Sequence, residues 1–272
     1  MGTIDTGTEH LLATIDDGVA LVTMNRPERR NAMSDEMLQA LARTLAALEV
    51  DDTVGCVVLT GAGGAFCAGG DVKGMASNER REGRATLDGA VRRQRLNHRA
   101  TAGKLWEMPK PTIAAIPGPA AGAGFSLALA CDLRYAIDTA VMTTAFARVG
   151  FAGDYGGTWF LTQLVGTGKA RELYYFSERI TAAEGERLGI VNAVFDAASF
   201  ESEVMDRARR LASGPTVAYG YMKENLNRAV TGPLTEALDL EATHHIRTGQ
   251  TEDHREAAQA FVDKRQPTFK GR

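Results

Sequence analysis

An α/β fold built from parallel βαβ units follows from three features of the chain. A buried strand, a glycine-rich turn and a helix recur in that order, an Asp-Gly hairpin precedes them, and the last third is rich in helical periodicity. Each element can be justified from its residues.

Leu11–Ile15 and Val19–Met24 read as two strands, because β-forming apolar residues flank Asp16-Asp-Gly18 and Asp-Gly is a strong hairpin signal. After the turn Asn25-Arg-Pro-Glu28, Ser34 reads as the N-cap of a helix with Met37, Leu38, Leu41, Leu45 and Leu48 on one face. Cys56-Val-Val-Leu-Thr60 is apolar enough for a strand buried on both faces and ends in Gly61-Ala-Gly-Gly64. Thr112-Ile-Ala-Ala-Ile116 repeats the pattern, with Pro117-Gly118, a small-residue turn and then a helix at Phe125–Ala130. Thr181-Ala-Ala-Glu184 has capping-box spacing, Phe200–Leu211 is amphipathic, and Thr235–Phe261 continues in helical fashion. No Pro- or Ser-rich linker interrupts the 272 residues, so one core is expected over 1–200, followed by a helical region over 201–272.

Bulk properties exclude several classes. A net charge of −3 gives no general pull toward nucleic acid or an anionic membrane. The three cysteines, Cys56, Cys67 and Cys131, make no disulfide framework and read as reduced, buried thiols, as in a cytoplasmic protein. The N-terminal residues lack the basic start and apolar core of a signal peptide, and no apolar run reaches the roughly 20 residues of a spanning helix. No metal site is indicated: His10, His98 and His254 are isolated, and adjacent His244 and His245 would diverge on a helix. The segment from Ser77 to Leu105 carries Arg80, Arg81, Arg84, Arg92, Arg93 and Arg95; it reads as one or two helices with a solvated basic face rather than a phosphate site.

Asp154 is the only acid between Asp138 and Glu172, in a stretch of small and aromatic residues. An ionised acid there costs free energy unless it is solvated, paired or used. Gly156-Gly-Thr-Trp-Phe-Leu161 looks like a helix start, so Asp154 is either a helix cap or a reactive group. Two glycine-rich turns supply possible partners. Ala65–Lys73 follows a strand, and Ile116–Phe125 follows a strand and opens a helix, so both can bring backbone N–H groups close to a ligand. Each alone is an ordinary connector; two converging are the parts of an oxyanion hole.

Asn25–Ala32, Phe66–Asp71, Pro111–Gly118, Ala130–Asp132 and Ala260–Arg265 occur in an order and spacing that resembles the crotonase (enoyl-CoA hydratase/isomerase) superfamily, from about residue 10 to the C-terminus. The resemblance implies a spiral of ββα units, a helical C-terminal trimerisation region giving a homotrimer or a dimer of trimers, and an acyl-CoA thioester substrate. No separate cofactor is implied, because coenzyme A is part of the substrate. The family's oxyanion-hole N–H groups fall on Gly70 and Ala123. Coenzyme A recognition falls on Arg30, the backbone around Ala68, the turn Asp71-Val72-Lys73, and Lys270, the last possibly serving a neighbouring subunit.

The sequence departs from the hydratases of that family. Their two glutamates align with Ser126 and Phe146, neither of which can act as a carboxylate acid or base. Ser126 reads as hydrogen-bonding within its helix and Phe146 as packing against an acyl group or the core. The stretch around Asp154 is instead similar to the enoyl-CoA isomerases and the ring-epoxide isomerases of phenylacetate degradation, where an aspartate at this position is the acid/base group. The implied reaction is proton relocation by one carboxylate, with an apolar surround from Phe146, Phe151 and Trp159 keeping water out. His98, in the region that shapes the acyl pocket of the family, reads as a surface or packing residue before a second acid/base. Three other readings stay open: an enoyl-CoA hydratase-type family member with weak hydration, an aryl- or acyl-CoA hydrolase or dehalogenase with Asp154 as nucleophile, and a non-catalytic acyl-CoA-binding subunit.

Overall fold

The computed structural model describes residues 2–71 and 86–272. Ten strands are described: β1 Gly2–Ile4, β2 Leu11–Asp16, β3 Val19–Met24, β4 Cys56–Gly61, β5 Thr112–Ile116, β6 Ala120–Ala121, β7 Leu133–Ile137, β8 Val141–Thr143, β9 Ile180–Thr181 and β10 Ala193–Phe195. The described helices are α1 Asp35–Val50, α2 Leu87–His98, α3 Lys104–Glu107, α4 Ala123–Ala130, α5 Gly157–Phe176, α6 Ala182–Arg187, α7 Phe200–Ala212, α8 Thr216–Thr231, α9 Leu234–Thr248 and α10 Glu252–Asp263, besides shorter turns.

Seven strands form one sheet in the order β1-β2-β3-β4-β5-β7-β10, and β6-β8-β9 form a second. The hairpin expected at Asp16-Asp-Gly18 pairs β2 with β3 antiparallel, Leu11 opposite Met24 and Asp16 opposite Val19. Asp17 and Gly18 both take positive φ (48° and 74°), the backbone of the tight hairpin turn whose twist matches the strands. From β3 through β4, β5, β7 and β10 the pairing is parallel, so these strands are joined by crossovers carrying the helices and turns.

The central strands are apolar on both faces because both faces are covered. In β4, Val57 and Leu59 pack into the larger core with Met37, Leu41 and Leu45 of α1, while Cys56 and Val58 pack into a second cluster with Phe200, Val204 and Ala208 of α7. β5 divides the same way, Ala114 and Ile116 against Ile113 and Ala115. α1 begins as expected, the Ser34 hydroxyl accepting from Met37 N at 3.1 Å. Thr181 likewise caps α6, accepting from Glu184 N at 3.2 Å.

The helical run expected over Thr235–Phe261 is two helices. α9 stops at Thr248, and the Thr251 hydroxyl caps α10 by accepting from His254 N at 3.0 Å. Few residues of α8 to α10 are buried. Lys223 ties the region to the core: its ammonium pairs with Asp132 at 2.8 Å and donates to Leu105 O at 2.8 Å and Lys110 O at 3.1 Å. Met222, Leu226, Val230, Leu234, Leu238 and Ile246 are exposed on α8 and α9. Among the described residues, no helix is long and apolar enough to cross a membrane.

Candidate active site

The two glycine turns meet. Cys67 pairs with Ala120 and Gly70 with Met33 as isolated parallel bridges, and Ala121 N donates to Cys67 O at 2.9 Å. Met33 N donates to Gly69 O at 2.8 Å; in parallel pairing the residue opposite Met33 keeps its own N–H out of that ladder, so the Gly70 N–H points away from it. A Cβ on Gly69 would lie 2.8 Å from Ala121 O and 3.2 Å from Ala123 N, which places the first turn directly against the start of α4. Ala123 is the first residue of α4, and the first N–H groups of a helix have no intrahelical partner. A Cβ on Gly124 would lie 2.5 Å from Cys67 Cβ and the Cys67 carbonyl oxygen, so only glycine allows the turns to close up here. Gly70 and Ala123 therefore lie on two touching turns, as an oxyanion hole requires. Cys67, buried beneath them with Sγ 3.0 Å from Asn31 O, is no nucleophile: burial pushes its thiol up to about 12.

Asp154 follows these turns in space through α4. The loop before α5 contains Gly153 at φ 130°, Tyr155 at φ 49° and Gly156 at φ 74°, and a buried tyrosine in left-handed backbone is a strained placement of the kind found at functional sites. Gly157 N donates to the Asp154 carbonyl at 3.1 Å. A Cβ on Gly157 would collide with the Ser126 hydroxyl and lie 2.6 Å from the Tyr174 hydroxyl, so the loop rests on the first turn of α4. The N-cap of α5 is Gly156 with no side-chain cap bond, and the Asp154 carboxyl caps nothing.

The carboxyl is engaged elsewhere, and this corrects the expectation of a solitary acid in an apolar surround. His98 Nε2 is in direct hydrogen-bond contact with Asp154 Oδ1. Gln94 Nε2 donates to Oδ1 at 2.9 Å and to Oδ2 at 3.0 Å, and Tyr155 N donates to Oδ1 at 3.2 Å. The side chains of His98 and Asp154 keep 32% and 29% of their exposure, so the pair is sheltered yet reachable. The His98 ring packs on Tyr155 with centroids 4.5 Å apart. Burial first, and then the Asp154 charge, push the Tyr155 phenol above its ordinary value, so it stays protonated.

The reason lies in α2. Gln94 and His98 are spaced i, i+4 and share a face, while Arg92, Arg93 and Arg95 are exposed on the rest of the helix, as a solvated basic face predicts. Arg80, Arg81 and Arg84 lie outside the described residues. Immediately after His98, Arg99–Gly103 form a π-helical turn, which rotates the chain so that Ala102 and Leu105 face the core. His98 is thus the packing residue expected, on the Tyr155 ring, and it also contacts the Asp154 carboxyl.

The other expected site residues fall as follows. Ser126 is buried and its hydroxyl donates to Gly122 O at 3.3 Å, the local bond anticipated for it. Phe146 lies beside Gly122 and stacks on Tyr174 at 5.9 Å and 4°. Burial pushes the Tyr174 phenol up, with its hydrogen bond to Ser126 opposing and the Asp154 charge adding to the rise. Phe151 is 55% exposed, and Trp159 packs edge-on against Trp106 and Phe160, so neither is a lining contact of the Asp154 carboxyl. Arg30 is exposed in left-handed backbone, and its carbonyl accepts from Ala68 N at 2.9 Å. Asp71 faces Arg26 at 3.8 Å. Val72 and Lys73 lie outside the described residues. Lys270 stays with α10: its N–H donates to Asp253 at 2.6 Å and its ammonium faces Glu252 at 3.8 Å. His244 is buried and His245 exposed, so the adjacent pair does diverge.

Comparison with known proteins gives a consistent result. The family model described as enoyl-CoA hydratase/isomerase matches residues 14–272. The chain is 37% identical over 264 residues to the 1,2-epoxyphenylacetyl-CoA isomerase of Escherichia coli (strain K12), covering 97% of this chain and 99% of that one. It is 34% identical over 237 residues to 4-chlorobenzoyl coenzyme A dehalogenase-1 of an Arthrobacter species, covering 87% and 84%. The crystal structure of an enoyl-CoA hydratase from Polaromonas sp. JS666 superposes with a TM-score of 0.88 at 35% identity, covering 95% of this chain and 98% of that one.

Proposed function

The chain belongs to the enoyl-CoA hydratase/isomerase family, and on that premise we propose that it is an acyl-CoA isomerase whose proton carrier is Asp154. The observation that carries the reading is the engaged carboxylate of Asp154, oriented by His98 and Gln94, in a loop whose Gly157 rests against the helix that begins at Ala123. In this mechanism the thioester carbonyl accepts from the Gly70 and Ala123 N–H groups. Asp154 removes a proton from the carbon next to the thioester or from its vinylogous position. The electron pair moves onto the thioester oxygen as an enolate or dienolate, which the two N–H groups stabilise more than the ground state. Asp154 returns the proton two carbons away, and the double bond moves between the β,γ and α,β positions. The same enolate chemistry serves ring opening of an epoxide next to the activated carbon. One carboxylate suffices for both ends, whereas hydration requires a placed water, and Ser126 and Phe146 stand where hydratases carry glutamates.

Coenzyme A recognition is assigned to Arg30, the backbone at Ala68, and Asp71 with Val72 and Lys73, with Lys270 reaching a neighbouring subunit's nucleotide. The acyl group is assigned to the space between Phe146 and the Asp154 loop. The exposed apolar residues of α8 and α9 are assigned to a homotrimer face.

A second reading has a specific observation in its favour. A carboxylate nucleophile needs a partner that activates water for hydrolysis of the ester it forms, and His98 sits directly on Asp154. The two readings separate in a single turnover in H2¹⁸O with excess enzyme. The isomerase leaves Asp154 unlabelled and forms no covalent adduct; an aryl ester or mixed acyl anhydride on Asp154, followed by ¹⁸O in its carboxyl, would replace the isomerase with the hydrolase.

A further inference from the structure

We infer that Gln94 is a positioning residue that makes Oδ2 the working oxygen of Asp154, an inference that rests on the reading of Asp154 as the proton carrier. The two carboxylate oxygens are not equivalent. Oδ1 meets His98 Nε2, Tyr155 N at 3.2 Å and Gln94 Nε2 at 2.9 Å. Among the described residues, Oδ2 meets Gln94 Nε2 alone, at 3.0 Å. Each carboxylate oxygen offers two lone pairs, so with the His98 proton on Nε2 three donors saturate Oδ1, the Tyr155 N–H being shared with His98 Nε2 at 3.4 Å, and a lone pair of Oδ2 stays open. A proton leaving the substrate arrives at Oδ2.

That assignment holds only while the carboxylate plane is fixed. The terminal torsion of aspartate is broad and roughly two-fold, so an unrestrained carboxylate exchanges its oxygens and turns its free lone pair away from the substrate. His98 and Tyr155 N both act on Oδ1 and permit rotation about it. Gln94 touches both oxygens and so sets the plane. Gln94 reaches the carboxyl from the same face of α2 as His98, whose ring is held against the buried Tyr155. Gln94, His98 and Tyr155 thus converge on Asp154 from α2 and the loop before α5. A glutamine suits this post because it donates without adding charge; a glutamate of the same shape would place a second carboxylate within hydrogen-bond distance of Asp154.

The test uses Gln94→Ala and Gln94→Glu in the full-length protein, with folding checked by thermal melts. Gln94→Ala lowers kcat for proton transfer on an enoyl-CoA about 10²-fold with KM within about twofold, the signature of a misaimed base and intact substrate binding. Gln94→Glu gives a changed pH profile: its activity relative to wild type is highest at the acid end, where one proton shared by the two carboxyls restores the donor, and falls as pH rises and both ionise. Overturning results are a Gln94→Ala kcat within threefold of wild type, a rise in KM that accounts for the loss, or a Gln94→Glu profile parallel to wild type. Asp154→Asn keeps the two failures apart. If that variant is inactive while Gln94→Ala is unimpaired, only the role of Gln94 falls; if Asp154→Asn retains the wild-type rate, the base itself has been misassigned.

Discussion

The glycine turns and helix α2, the two parts of the proposed site, are opposite constructions. The turns at 61–70 and 117–124 are backbone laced to backbone, with Cys67 and Phe66 buried beneath them and a Cβ at Gly124 excluded by Cys67. α2 has no fully buried residue, and it supplies chemistry through two side chains on one face. On the proposed reading the first construction offers backbone N–H groups to a thioester, and a substitution can displace them but, short of proline, does not remove them. The second presents groups that a single substitution replaces.

The division can be broken at either side. The largest effect is expected at Asp154→Asn, a kcat loss of about 10²–10⁴-fold with thioester binding retained, checked by steady-state kinetics beside direct titration of a coenzyme A thioester. On the backbone side, Gly124→Ala forces Cys67 and α4 apart, lowering stability by about 1–3 kcal/mol in urea melts and displacing the Ala123 N–H, so kcat falls as well. His98→Gln is expected to slow isomerisation about tenfold, since the Oδ1 contact is weakened while Oδ2 is untouched; a loss as deep as that of Asp154→Asn would favour hydrolysis. Arg95→Ala, on the exposed face of the same helix, is expected to change neither kcat nor stability beyond about 0.5 kcal/mol, which locates the function on one side of α2.

These differences also explain what the sequence made legible. The hairpin at Asp17-Gly18, the strands Val19–Met24 and Thr112–Ile116 and the cap at Ser34 are written in local pattern, and they stand in the structure where that pattern puts them. The meeting of the two glycine turns is legible because each follows a strand of a parallel sheet. Asp154 is conspicuous by its apolar neighbours, yet its partners are 56 and 60 residues away in the chain. Gln94 and His98 do carry a signal, the i, i+4 spacing, but Arg92, Arg93 and Arg95 interleave with them and give the segment the look of a solvated surface. The π turn after His98 has no signature in composition, and without it the orientation of α2 over the Asp154 loop is not readable. Phe151 and Trp159 read as part of an apolar surround; in the structure Phe151 is exposed and Trp159 packs on Trp106.

The central claim is that Asp154 moves a proton on a thioester held by backbone N–H groups. Its most direct test is hydrogen exchange in deuterated water, followed by mass spectrometry or NMR of an enoyl-CoA incubated with wild-type protein and with Asp154→Asn. The account predicts deuterium entering at C2 and C4 with the wild type and none above background with the variant. Exchange at an undiminished rate in Asp154→Asn, or no exchange by the wild type on any enoyl-CoA that it binds, would contradict it.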